Sequence, residues 1–321
     1  MAVFTDISEN KLKKFLELYD IGKLASFEGI SEGIQNTNFI VQTTKSKYIL
    51  TLYEDKRIFS SLPFFFSFME HLENKKIPCA SPVHASDGSI LQKLANRPAA
   101  IVNFLPGKWP KTIRSEHCAE VGKYSALMHK AAKDFKQKRD DSVFGAVEYW
   151  NKRIKEESLD INSLKSGLSD EIDKSFRKIK SQWPDNLPSG AIHGDLFPDN
   201  VLFEGGKVSG IIDFYMSHND FFAMDLANTL TQWCFEHGAE FNITKAKAML
   251  SAYNKVRKLS DAELKALPTL ASAAATKWFL TRLYTWFNPS KGAMVNRKDP
   301  LEQLGKLRFH LQIKSASEYG L

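Results

Sequence analysis

With 321 residues, 43% of them hydrophobic, the chain exceeds the comfortable size of one core and has the apolar content to fill one large or two smaller lobes. Its longest apolar runs fall well short of the roughly 20 residues that span a bilayer, and three scattered cysteines (Cys79, Cys118, Cys234) without CxxC spacing exclude a disulfide framework or a structural zinc, fitting a reducing cytoplasm. The net charge of +7 is dispersed, and its one dense patch, KDFKQKRDD at 133–141, ends in acids, so a nucleic-acid partner is not expected; a mild positive field suits a small anion such as a nucleotide.

In chain order, Leu12, Phe15, Leu16 and Leu18 recur among Lys11, Lys13, Lys14, Glu9 and Glu17, an amphipathic helix rather than a signal peptide. Leu24 to Val41, broken by Gly29 and Gly33, and then Lys47 to Tyr53 predict an antiparallel meander. Ser60-Ser61-Leu62-Pro63 supplies a helix start, and Phe65, Phe68, Met69 and Leu72 give that helix an aromatic face to pack on the sheet before Pro78. Ser89–Leu94 and Pro98–Leu105 read as a strand pair around Asn96-Arg97, and Pro106-Gly107 breaks the chain.

Beyond that break, the segments 115–132, 147–158, 168–182, 220–237, 243–257, 261–287 and 300–314 carry helical spacing. Only 191–214 reads as strand, and the polar stretch 159–190 reads as an exposed helical excursion. The expected fold class is therefore α+β, with a small sheet-rich lobe over residues 1–105 and a large helical lobe over 106–321.

The chemistry gathers in AIHGDLFPDNVLFEGGKVSGIIDF, Ala191 to Phe214. Asp195 and Asn200 stand in the spacing D-x-x-x-x-N, a hairpin follows with its turn at Gly205-Gly206, and Asp213 closes the apolar run Val208 to Ile212. Phosphoryl transfer needs one carboxylate to orient and deprotonate the acceptor hydroxyl, plus hard oxygen ligands that hold magnesium against the phosphates. Asp195 fits the first role, and Asn200 and Asp213 fit the second. H-G-D and P-D-N are also ordinary turn sequences, but the whole constellation in this order is not. Zinc would want further histidines or cysteines beside His193, which reads instead as a brace for the loop.

IHGDLFPDNVLF followed by IIDF resembles the catalytic and metal-binding segments of the aminoglycoside-phosphotransferase and choline-kinase superfamily, which is similar in fold to protein kinases. The resemblance implies a protein-kinase-like two-lobe fold, ATP and magnesium as cofactors, Asp195 as the catalytic base, Asn200 and Asp213 as metal ligands, and Asp225 in MDLAN as an acid bracing the large lobe. QNTNFIVQTT (35–44), KYILTLYE (47–54), LPFFFSFMEHLENKKIPCASP (62–82), PAAIVNFLPG (98–107) and DFYMSHNDFFAMDLANTLTQWCF (213–235) are similar to the homoserine kinase branch. That likeness implies phosphorylation of the homoserine side-chain hydroxyl, a step towards threonine. Composition and spacing do not themselves choose homoserine over another small hydroxylated acceptor such as an amino alcohol, sugar or aminoglycoside.

One departure stands out. Ile49, Thr51 and Tyr53 share a strand face, and the superfamily commonly places its phosphate-contacting lysine where Thr51 stands. Lys47 or Arg57 could replace it, backbone amides and metal could suffice, or the chain could bind nucleotide without turnover; Glu70 or Glu73 would be the helix partner of such a cation. The EGISEG turn, with Ser31 and Gly33, is expected over the phosphates; the resemblance puts backbone contacts to the adenine at Asn103 to Leu105, and Ile49 is a further candidate nucleotide contact. Tyr215, Asn219 and Asp220 are candidate acceptor-pocket residues. Arg282, flanked on its helix by Trp278 and Trp286, is the candidate cation for an acceptor carboxylate, with a structural ion pair to a lobe acid such as Asp225 as the alternative.

Overall fold

The computed structural model describes residues 5–30, 36–139, 152–153, 155–288 and 298–321. Its contacts divide the chain into two compact units: one drawn from the residues up to Pro106 and rejoined by Gly210–Tyr215, the other from Gly107–Ser209 together with most of the chain after Met216.

The first unit is built on strand alternation. Strands β1 (Leu24–Gly29), β2 (Thr37–Thr43), β3 (Lys47–Leu52), β4 (Gln92–Leu94) and β5 (Arg97–Asn103) form one antiparallel sheet in the order β1-β2-β3-β5-β4. Phe39 pairs with Leu50, Val41 with Tyr48, and Leu50 with Ile101, so one apolar face is continuous across three strands. Helix α1 (Glu9–Leu16) covers that face with Leu12, Phe15 and Leu16. Helix α2 (Leu62–Asn74) sets Phe66 against Tyr53, whose N–H extends the ladder to Pro98 O at 2.9 Å, Phe65 against Tyr215 and Phe68 against Phe214. Ile211 joins this unit by donating its N–H to Pro78 O at 2.8 Å.

The second unit is helical. Helices α3 (Ser115–Ala131), α4 (Ser158–Leu164) and α5 (Leu168–Ser181) precede the short strand β6 (Ser189–Ile192); the hairpin β7 (Val201–Glu204) and β8 (Lys207–Ile211) turns at Gly205-Gly206. Then come β9 (His218–Phe221), α6 (Phe222–Trp233), α7 (Ile243–Val256), α8 (Asp261–Phe287) and α9 (Pro300–His310). Every residue of α6 is buried, its polar Asp225, Asn228, Thr229, Thr231 and Gln232 included, and α8 packs against both α6 and α9. A Cβ on Gly122 would lie 2.2 Å from Met249 O, so α3 and α7 approach closely only because that position carries no side chain.

Two expectations shift. The stretch 220–237 does not begin as helix: His218–Phe221 pairs antiparallel with Ser189–Ile192, a partner distant in sequence that overrides local helical spacing. The excursion 159–190 is less exposed than its polarity implies, because Leu168, Ile172, Phe176 and Ile179 on α5 are fully buried along one stripe. Half of the helix expected over 147–158 lies outside the described residues. Among the described residues no helix is long and apolar enough to cross a membrane.

Candidate active site

The loop from Ile192 to Asn200 is folded by its own sequence. Gly194 adopts φ +76°, and a Cβ there would meet Met216 O at 2.7 Å, so the middle of H-G-D admits glycine alone. Asp195 N–H donates to His193 Nδ1 at 3.3 Å. Asn200 Nδ2 donates to the Asp195 backbone oxygen at 2.8 Å and to its carboxylate at 3.3 Å. The four-residue spacing thus brings Asp195 and Asn200 side by side, with the amide nitrogen turned inward.

A buried carboxylate holds this loop from behind. Asp225, 1% exposed, accepts the backbone N–H of Gly194 at 2.9 Å and that of His193 at 3.3 Å. His129 Nε2 lies 3.0 Å from Asp225 Oδ2, and its Nδ1 lies 2.8 Å from Tyr253 Oη. An ionised carboxylate only accepts, which makes Nε2 the donor to Asp225. Arg257 donates in turn to Tyr253 Oη at 3.0 Å and to Glu263 at 2.8 Å. Burial alone pushes the Asp225 carboxyl up, yet the His129 bond, the charges of His129 and His193 and the Gly194 N–H together bring it below the usual carboxylate value. The residue predicted to brace the lobe therefore grips two successive amides of the loop.

Beside Gly194 opens a narrow cavity lined by Ile192, Gly194, His218, Asp220, Met224, Asp225, Asn228 and Lys277. Its volume of about 10 Å³ is close to the room one water needs. Asp220 reaches it from β9; Lys277 reaches it from α8, 7% exposed. Burial pulls the Lys277 ammonium below its ordinary value, while the fields of Asp195, Asp220 and Asp225 oppose that shift. The next residue, Trp278, donates Nε1–H to Asn228 at 2.6 Å and sets its ring edge-on to Phe197 at 4.7 Å, while Asn228 donates to Gly194 O.

Lys277 was not among the residues singled out from the sequence. Its signal was available, a lone cation inside the apolar run Leu270–Leu280, where an uncompensated charge is costly. Arg282, singled out instead, donates to Glu302 at 2.8 Å and to Asp299 O at 3.1 Å and does not line the cavity. Its alternative reading as a structural ion pair describes this arrangement, with Glu302 rather than Asp225 as partner. Asn219 lies on β9, but its Oδ1 accepts the Arg139 backbone N–H at 2.9 Å.

In the sheet unit, Asp213 stands exposed in the left-handed region at φ +64°, a conformation that costs a non-glycine residue of order 1 kcal/mol and is kept only where the surroundings impose it. Two residues on, Tyr215 Oη lies 2.9 Å from Tyr53 Oη. Burial, with the Asp213 charge adding, pushes the Tyr215 phenol up to about 12, so both phenols keep their protons at neutral pH. Thr51 is buried and its hydroxyl donates to Asn38 at 2.8 Å. Neither proposed substitute for a strand lysine points there: Lys47 Nζ stands over Phe104, and Arg57 pairs with Asp55 at 2.7 Å. Glu73 accepts from Ser81 at 2.8 Å, Glu70 pairs with His84 at 2.6 Å, and Asn103 donates to Ser81 at 2.8 Å. Ile49 is half-buried on β3, Leu105 is half-buried beyond β5, and Ser31 and Gly33 fall outside the described residues.

A protein-kinase-like α+β fold with this Asp-loop-Asn arrangement defines a phosphotransferase. The phosphotransferase enzyme family matches residues 26–259, and the chain belongs to that family. It is 46% identical over its whole length to a homoserine kinase of Sinorhizobium medicae, of which it covers 98%, and 47% identical to that of Agrobacterium fabrum, of which it covers 99%. Among solved structures, an amicoumacin kinase bound to AMP-PNP aligns over 96% of this chain and 93% of its own, with TM-score 0.69 and 18% identity. A choline kinase from Cryptosporidium parvum aligns over 95% of both chains, with TM-score 0.63 and 14% identity.

Proposed function

We propose that the protein is an ATP- and magnesium-dependent kinase that phosphorylates the side-chain hydroxyl of L-homoserine to O-phospho-L-homoserine. The observation that carries this reading is the likeness to homoserine kinases at 46–47% identity, end to end. In the reaction the acceptor oxygen bonds to the γ-phosphorus, the bond to the β-phosphate oxygen breaks, and Asp195 takes the hydroxyl proton. Asp225, through the amides of His193 and Gly194, holds Asp195 in position.

Asn200 and Asp213 are the ligands we assign to magnesium. Their donors suit it: one amide oxygen, whose nitrogen is already committed to Asp195, and one carboxylate. Among the described residues no three His, Cys, Asp or Glu side chains gather as a metal-binding group, so phosphate and water oxygens would complete the shell, as magnesium prefers. When bound, the ion offsets charge on the transferring phosphoryl group. We assign the adenine to Ile49, Asn103 and Leu105, the phosphates to the turn bearing Ser31 and Gly33, and the lobe boundary to residues 105/106. A cytoplasmic setting accords with three free, buried cysteines.

The test is magnesium-dependent ADP release with homoserine, choline, a methylthio-sugar and an aminoglycoside offered separately, beside an Asp195→Asn control. Turnover with homoserine, reduced at least about 100-fold in the control, is the expected result. Turnover with another acceptor alone would overturn the homoserine assignment, and none with any acceptor would overturn the enzyme.

A further inference from the structure

Gly194 is gripped at both ends by residues one turn apart on α6. Asp225 accepts its N–H at 2.9 Å, and Asn228 Nδ2 donates to its C=O at 3.3 Å. We infer that Asn228 and Trp278 are positioning residues for the phosphoryl transfer, a clamp on the peptide between Gly194 and Asp195 that gives the Asp195 carboxylate its direction. This rests on the reading of Asp195 as the base that takes the acceptor's proton.

The chemistry of the donors orders the clamp. A carboxamide can turn either its oxygen or its nitrogen towards a neighbour, and with its oxygen towards Gly194 O, Asn228 would set two acceptors against each other. An indole carries one N–H and no acceptor. Trp278 Nε1–H, 2.6 Å from Asn228 Oδ1, therefore requires the amide oxygen on its own side and leaves Nδ2 for Gly194. Asn228 is 4% exposed, where a polar group turned away from its partner is costly. The Trp278 ring is itself set edge-on to Phe197 at 4.7 Å. One residue of α8 thus touches the loop two residues after Asp195 and, through Asn228, one residue before it.

The backbone at this point needs such a hold. Gly194 stands at φ +76°, and glycine reaches other backbone orientations more readily than any residue with a side chain. The peptide that joins it to Asp195 has its N–H 3.3 Å from His193 Nδ1 and its C=O on Asn228, so loss of the Asn228 bond leaves one long contact to keep the plane from turning. The next two carbonyls are held as well, that of Asp195 by Asn200 Nδ2 at 2.8 Å and that of Leu196 by Trp233 Nε1 at 2.8 Å. Three consecutive carbonyls around the base receive side-chain donors, the first of them from an amide that Trp278 orients.

The test is a pair of double-variant cycles on kcat. Trp278→Phe keeps a ring against Phe197 and deletes the N–H; we expect kcat to fall about 3- to 10-fold, with KM for ATP and for the acceptor within about twofold. Asn228→Leu removes the amide, and a fall of about tenfold or more is expected. In the Asn228→Leu background, Trp278→Phe should change kcat by less than about twofold, because both act through one contact. In the Asp195→Asn background it should likewise change the residual rate by less than about twofold, because the carboxylate it positions is gone; a merely structural role would lower that rate too. An unchanged kcat in Trp278→Phe, a loss carried by KM, or losses that multiply in either background would overturn the clamp while leaving the proposed function standing. Where Asn228→Leu does not fold, as a melting curve would show, the Asp195→Asn cycle alone decides. Wild-type turnover of an acceptor other than homoserine would overturn the homoserine assignment only, and the cycles are then run with that acceptor; absence of turnover with any would overturn the enzyme and the clamp together.

Discussion

Asp225 Oδ1 accepts the Gly194 backbone N–H at 2.9 Å, so a helix residue in the core fixes the backbone immediately before Asp195. Asp225→Ala would strand two loop amides and His129 in a dry site. Breaking a buried charged contact of this kind costs about 3–5 kcal/mol. We expect a Tm lower by on the order of 10 °C and a kcat lower by at least about tenfold, read by calorimetry and steady-state kinetics. An unchanged kcat in the folded variant would show that Asp225 does not position the loop.

Gly122→Ala forces a methyl group to within 2.2 Å of Met249 O, backbone that cannot swing aside. Helices α3 and α7 must part, at a cost of about 1–3 kcal/mol. The expected result is a lower denaturation midpoint with KM values unchanged. A variant as stable as the parent would mean that the two helices slide freely.

His310 gives the fold a pH dependence. It is buried between Thr231 and Tyr319, and burial first, then the Lys306 charge, pushes its imidazole down to about 3. The folded state keeps His310 neutral where the unfolded chain, titrating near about 6.5, takes up a proton. Stability from this group is complete above that value and declines as pH falls from about 6.5 towards 3. His310→Gln should flatten urea-derived stability over that window, and an unchanged slope would exclude His310 as its origin.

Asp213→Asn keeps an oxygen donor and removes a charge. The expected loss in kcat/KM is about 100-fold or more, partly recovered by raising magnesium, because the variant's ion affinity is what fails. A loss insensitive to magnesium would take Asp213 out of the metal shell.

Arg282→Ala removes the pair with Glu302, whose side chain is 42% exposed, so solvent screening limits the cost to about 1 kcal/mol. A slightly lower Tm and an unchanged acceptor KM are expected; a tenfold rise in KM would return Arg282 to the acceptor site.

The sheet, most helices and the Asp195–Asn200 pairing were legible because each is set by local pattern: alternation in β2 and β3, three-and-four spacing in α3 and α5, and D-x-x-x-x-N closing on itself. What was not legible depends on partners distant in sequence. His218–Phe221 becomes strand only because Ser189–Ile192 lies beside it. Lys277 and Arg282 look alike as lone cations on one apolar helix, and only packing shows that one meets Glu302 and the other a cavity beside the loop. His129, Tyr253 and Arg257 carry no motif, and their linkage to Asp225 arises from three helices meeting.

The run from Gly194 through Asp225, His129, Tyr253 and Arg257 ends at Glu263, which also completes the capping box of Ser260 at the start of α8. One carboxylate thus registers the reaction loop and the helix bearing Lys277 to a common frame. Altering residue 263 would therefore disturb the reaction loop and the start of α8 together.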